Sequence, residues 1–391
     1  MNTTERTRIA FTRSGLPDRV PIHSWLGLPY IREYLKPKHM SMNETMQWWI
    51  DDPMGSLVKW QENLGLDPMI TTYSQHVGGQ EVWPRMLFPR PMETDTWKET
   101  MTIRARGEGW REFDHRIWTP AGELDYNYRV EDGYGTATDQ YPLRGNEPDK
   151  KLEAFRYFPS ADLYDMSILK GMVDKVGDNA WWLHHIPGPW DMATHVRGLV
   201  DIAMDLKKRP QFVHDLMRFC TDWLMVYYKR LGETGIHSIS MNETWVGVGL
   251  SPKVYIDFIK PYDAEAVAAA HDAGYLVSFH NCGRGNRFLE DMVDTHPDAL
   301  ETITPLKTSG DFDLADVKQR VGDRVCLFGG FYEHVLKEDN EEAVRAEVRR
   351  CIDAAAAGGG YILRSTGQIF HANPGMIEAM CDEARKYGVY N

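Results

Sequence analysis

At 391 residues, with 42% hydrophobic and 26% charged side chains, the chain can bury a large core and lies within ordinary globular proportions, which excludes a disordered polymer. A formal charge of −13 disfavours nucleic acid as a partner, because counterion-release binding needs clustered Lys and Arg. Apolar runs such as Ala266–Ala270 and Ala354–Ala357 fall far short of the ~20 residues that span a bilayer, and polar Met1–Arg8 leads into no signal-type stretch, so no membrane partner and a cytoplasmic location are expected.

The first candidate strands in chain order are Val20–Trp25 and Pro68–Tyr73. Residues 95–146 break from the rest, with alternating polar and aromatic residues around a Pro-Ala-Gly turn, and read as antiparallel hairpin material inserted near the mouth of the main fold. Trp181–Ile186 is a buried-type strand, followed by the Pro187-Gly188-Pro189 turn and a helix over Met192–Lys207. Pro210 opens a long amphipathic helix that ends at Gly232 and Gly235.

Beyond it, strands and helices alternate strictly. Strand His237–Met241 precedes a helical stretch opened by Ser251-Pro252 and closed by Gly274, and strand Tyr275–His280 follows at once. Then come strand Ala299–Thr304, helix Asp313–Val321, strand Val325–Phe328, helix Glu341–Ala356, strand Tyr361–Arg364 and helix Pro374–Tyr387. The total of eight strands is what a (β/α)8 TIM barrel needs to close. A doubly wound open sheet fits less well, since no GxGxxG follows an early strand. The expectation is an α/β fold: one decorated barrel over residues 1–391, carrying the 95–146 insertion.

In such a barrel the reactive groups sit where strands end and loops begin. His280-Asn281-Cys282-Gly283 is the strongest local signal. Two borderline ligands one residue apart at a strand exit can project to one side, a pairing that suits Zn2+; the alternative is a structural histidine beside an inert thiol. None of the five cysteines forms a CxxC pair, and only Cys282 lies in a polar, glycine-rich segment.

Glu243, just after a strand, is a candidate third ligand or general base, against the alternative of a solvated loop acid. His371 is a candidate catalytic group, and Gln368 of the same loop a candidate for binding substrate. Trp25, Trp190, Asn242 and Trp245 lie at or near strand exits and would bind an apolar or flat substrate, although most tryptophans in a large domain are packing. His184 and His185 are adjacent in one strand, so at most one lines the interior, and a buried, hydrogen-bonded role is expected for both.

The motifs PDRVPI (17–22), IPGPWDMA (186–193), LSPKVYIDFIKPY (250–262), the His-x-Cys-Gly at 280–283, LKTSGDFDLADVKQRVGDRVCLFGG (306–330) and GGGYIL (358–363) resemble the uroporphyrinogen decarboxylase superfamily across nearly the whole chain. The resemblance implies a (β/α)8 barrel. The porphyrinogen-binding branch carries an arginine-rich stretch near its N-terminus, which WLGLPYIREY (25–34) lacks. The other branch comprises methyltransferases that work with corrinoid proteins or coenzyme M, and it implies zinc at His280 and Cys282. Those enzymes usually supply a third ligand, a cysteine, after the last strand, where Gln368 stands here. The resemblance then implies either that Glu243 or His371 substitutes, giving a harder site suited to oxygen or amine donors, or that zinc is lost and His280 does acid–base work.

The expected activity is zinc-dependent transfer of a methyl group from a small methylated substrate to a corrinoid on a separate partner protein, or to a thiol. A metal-free decarboxylase or lyase with His280 as acid, and a non-catalytic ligand-binding barrel, are the alternatives.

Overall fold

The computed structural model describes residues 1–27, 30, 31, 40, 42–73, 87, 89–131 and 135–390. Residues 28, 29 and 32–34 of the WLGLPYIREY segment, and 132–134 of the insertion, lie outside the described residues.

The short apolar runs become parallel strands because each is bounded by turn residues and followed by a helix that returns the chain. Strand β1 is Met69–Tyr73; β2 Lys98–Gly107, β3 Trp110–Thr119, β4 Gly122–Glu131 and β5 Gly135–Gln140 form the insertion. Then follow β6 Trp181–Pro187, β7 Ser238–Asn242, β8 Leu276–Asn281, β9 Ala299–Thr302, β10 Cys326–Gly329 and β11 Tyr361–Ile362. The parallel sheet runs β1-β6-β7-β8-β9-β10-β11. Its open edges are joined by the segment around Ile22, the expected first strand. His23 N–H donates to Leu363 O at 2.9 Å and Leu363 N–H to Pro21 O at 3.0 Å, while on the other side Asp67 N–H donates to Ile22 O at 2.8 Å. A short eighth stave thus closes the barrel.

Asp67 pins that stave. Its carboxylate accepts Ile22 N–H at 2.8 Å, both Nη groups of Arg19 at 2.8 Å and Arg6 Nη1 at 2.7 Å. Burial pushes the Asp67 carboxyl up, but the two arginines outweigh it and hold it below the ordinary aspartate value. Asp67→Asn leaves the nearly buried Arg19 guanidinium without its counter-charge, while Arg6 keeps Asp18, and is expected to cost about 3 kcal/mol, read from urea midpoints. Asp67 ionises more readily folded than unfolded, so the stability it contributes is present above the ordinary aspartate range and lost as pH falls through its depressed folded value.

Strand alternation sorts the barrel side chains into two cores. Met69, Trp181, Leu183, Ala299, Cys326, Phe328 and Ile362 point inward and cluster with Ala10 and Phe11 of the helix Thr3–Thr12, which closes the N-terminal end. Residues of the opposite parity, such as Trp182, Ile239, Val277 and Leu300, join the larger core between strands and helices.

Two expected helices are each split. The stretch over Met192–Lys207 is two helices, Pro189–Arg197 and Leu199–Lys208, because Gly198 between them takes a φ of 87° that ends the first. The stretch opened by Ser251 divides at Ile259 into Pro252–Phe258 and Lys260–Asp272, with Pro261 in the first turn of the second. The hairpin material is a four-stranded antiparallel sheet in the order β2-β3-β4-β5, with Pro120-Ala121 at the β3–β4 turn. No helix among the described residues is long and apolar enough to cross a membrane.

Candidate active site

The C-terminal ends of the barrel strands carry polar side chains where the floor carries apolar ones. Ser240 and Asn242 of β7, Ser278 and His280 of β8, and Glu301 of β9 share the inward parity. Glu301 is fully buried and sits at the centre. It accepts Ser240 Oγ at 3.1 Å and Ser278 Oγ at 2.6 Å, and lies 2.8 Å from His280 Nδ1 and 2.9 Å from Arg364 Nη1. Burial disfavours its charge, yet Arg364 and His280 prevail and hold its pKa well below the usual glutamate value.

His280 is held between two acids. Burial alone would lower its pKa, but the hydrogen bond with the Cys282 thiol and the contact with Glu301 carry it up to about 9. The same contact acts on Cys282: burial raises its pKa, His280 opposes this, and the thiol is lowered from its ordinary value. Cys282 Sγ also lies 3.9 Å from Thr244 Oγ1. The structure therefore brings His280 and Cys282 together, with Glu301 behind the histidine.

An aromatic wall stands over this centre. Trp25 Nε1 donates to Tyr73 Oη at 2.8 Å, as does Gln368 Nε2 at 3.1 Å. The His185 ring centroid lies 5.0 Å from Trp25 and 5.1 Å from Tyr73 at interplanar angles of 18° and 24°. Trp25 also meets His280 edge-on at 5.7 Å. Arg364 is clamped between the rings of Trp25 and Phe328 at 4.9 and 4.7 Å. His185 Nδ1 faces Asn242 Oδ1 at 3.3 Å, and its Nε2 is buried without a hydrogen-bond partner among the described residues. Burial drives the His185 pKa down to about 3, so the ring is neutral. Ligand-capable atoms of His185, His280 and Glu301 all lie within 4.8 Å of one another.

Glu243 is placed elsewhere. It has the outward parity of β7, and its Oε1 and Oε2 accept the N–H groups of Trp190 and Asp191 at 3.0 and 3.1 Å, capping the helix Pro189–Arg197. Asp191 reciprocates, accepting Thr244 N–H and Trp245 N–H at 3.1 Å each. The carboxylate offered by the sequence as a third ligand is thus spent on a helix N-terminus. Trp190 is buried in the outer core, and Trp245 packs half-buried against it. His371 is exposed in the bend beyond Gln368.

The Glu243–Asp191 clamp extends to Asp263, which accepts Tyr255 Oη at 3.1 Å. Burial, with Asp191 adding to it, raises Asp263 to about 8 against the pull of its hydrogen bonds with Glu243 and Tyr255. A raised folded value means that stability is fully present below the ordinary aspartate value and is lost as pH rises through about 8. Asp263→Asn is therefore expected to lessen the fall in urea midpoint between about pH 6 and pH 9.

Sequence reasoning did not single out Glu301, Arg364 or Tyr73, and it gave His185 a plain structural role. Signals existed: Glu301 is the one acid in the buried strand Ala-Leu-Glu-Thr, and Arg364 ends the apolar run Tyr-Ile-Leu. His184 and His185 do split as alternation requires. His184 faces outward, with its ring nitrogens 2.8 Å from Thr72 Oγ1 and 3.0 Å from Tyr227 Oη.

The family model described as Uroporphyrinogen decarboxylase (URO-D) matches residues 125–387. A protein named uroporphyrinogen decarboxylase from Psychromonas ingrahamii is 29% identical over 203 residues, 50% of this chain and 53% of that protein. Another of that name from Hydrogenovibrio crunogenus is 27% identical over 261 residues, 63% of this chain and 69% of its own length. The chain thus spans about half the length of the first of these relatives. A solved structure described as a methyltransferase from Methanosarcina mazei aligns over 99% of both chains with a TM-score of 0.69 at 14% identity, a likeness of fold.

Proposed function

This chain belongs to the uroporphyrinogen decarboxylase family, and from that premise we propose that it is a zinc-dependent methyltransferase or demethylase. Its substrate is a small methoxy, methylamine or methylthio compound, and the acceptor is a corrinoid on a separate partner protein, or a thiol. The M. mazei protein of like fold is named for the same kind of activity.

The observation that carries the reading is the chain Glu301–His280–Cys282. With Nδ1 of His280 held 2.8 Å from a buried carboxylate, Nε2 is the nitrogen left to bind a metal, the arrangement by which a carboxylate orients a zinc-bound histidine. Cys282, its thiol lowered in pKa, stands beside that ring as the second ligand. Zinc bound there would act as a Lewis acid on the atom that carries the methyl group. Trp25 and Tyr73 line the approach, exclude water and offer flat apolar faces to the donor, while Asn242 and Gln368 supply polar contacts at the rim.

One observation favours a second reading. A His280 held up at about 9 is cationic at neutral pH, and with Arg364 nearby it suits a metal-free decarboxylase or lyase in which His280 is the acid. Zinc analysis of the purified protein separates the two. Stoichiometric zinc, with methyl transfer from a methylated donor to a reduced corrinoid protein, is the expected result. Metal-free protein that decarboxylates a small acid at full rate sinks the methyltransferase reading.

A further inference from the structure

The chain has no cysteine in the loop after the last strand, so His280 and Cys282 need another partner to hold zinc firmly. We infer that His185 is the third ligand, through Nε2, and that Glu301 and Asn242 orient the two histidines without binding the metal. The inference rests on the zinc reading above and deepens it.

Three observations carry it. First, Asn242 Oδ1 can only accept, so the His185 Nδ1 that faces it at 3.3 Å bears the proton. In a neutral ring the lone pair is then on Nε2. Second, that nitrogen is buried, in a residue only 2% exposed, and has no hydrogen-bond partner among the described residues. A buried acceptor left unsatisfied costs free energy unless something occupies it, and the nearby rings of Trp25 and Tyr73 restrict the His185 ring. Third, the His185 and His280 rings stand 5.7 Å apart at 75° and a ligand-capable nitrogen of each lies within 4.8 Å of the other, while Cys282, outside that group, joins through its contact with His280.

Glu301 belongs to the same group by distance, yet its two oxygens are already engaged by Ser240, Ser278, His280 and Arg364. Moving it onto a metal would strip Arg364 of its counter-charge inside the barrel and free the His280 Nδ1 that sets the tautomer. Its place is behind the histidine. Two imidazoles and one thiolate leave the fourth position of a tetrahedral ion open to the donor.

The test uses Co2+ as the probe metal in the full-length protein. The wild type is expected to take up the ion with a thiolate-to-cobalt charge-transfer band and visible bands of tetrahedral intensity. His185→Gln should weaken Co2+ affinity more than about 100-fold, whereas Glu301→Gln should weaken it by only about 10–100-fold. X-ray absorption of the wild-type zinc protein reads the ligands without any substitution and should count two imidazole nitrogens and one sulfur. An unchanged affinity in folded His185→Gln protein, or a wild-type spectrum with a single imidazole, overturns the assignment of His185 while leaving the zinc reading standing. A wild type that takes up neither Co2+ nor Zn2+ overturns both.

Discussion

His280→Ala is expected to lower methyl transfer by about 10²–10⁴-fold and to reduce bound zinc to background, with the fold intact. The residue joins the thiol of Cys282 to the Glu301 carboxylate, so in the zinc reading its loss removes one proposed ligand and the partner that lowers the Cys282 thiol. Stability should change little by comparison, because Glu301 keeps Ser240, Ser278 and Arg364. Cys282→Ser should lose zinc as well, since an alcohol is not ionised at neutral pH as this thiol can be. Rates with a reduced corrinoid protein, metal content and thermal melts of the same preparations check the expectation. A His280→Ala protein that keeps its activity would falsify a reaction centred on this residue.

A large effect on stability is expected from Glu301→Leu, about 3–5 kcal/mol, because it leaves the wholly buried Arg364 guanidinium uncompensated inside the barrel. Arg364→Leu alone should cost a similar amount, by stranding Glu301. Removing both charges together is expected to cost far less than the sum, since an apolar pair can replace a buried ion pair at little net cost. Glu301→Gln keeps the shape and the serine partners and so separates charge from packing. Urea unfolding of the four variants measures the coupling, and strictly additive costs would show that the two side chains do not interact.

Much of this architecture is legible in the order of residues alone. Short apolar runs between glycine and proline turns locate the parallel strands, and the N-cap expected at Ser251 accepts the N–H three residues on, as Asp313 and Asn340 also do before their helices. The His-x-Cys at a strand exit locates the mouth. The helix break at Gly198 is not legible, because a glycine inside a helical pattern signals tolerance as readily as a stop. Glu243 misleads for a related reason. A carboxylate after a strand has the same local signature whether it turns to the interior or to a helix N-terminus, and here the second outcome satisfies the N–H groups of Trp190 and Asp191.

By itself the sequence determined the order and type of the elements, the parity that sorts each strand's residues into inner and outer faces, and the family. These follow from periodicity and turn chemistry, which act over a few residues. Only the tertiary structure decided who stands opposite whom: Asp67 tying Ile22 to β1, Glu301 placed behind His280, Trp25 and Tyr73 packed beside His185, and His185 facing His280 from a strand about a hundred residues earlier. Closure of the barrel sets those neighbours. A local pattern can say which way a side chain points, but the partner it meets is supplied by a strand whose position depends on every helix packed between.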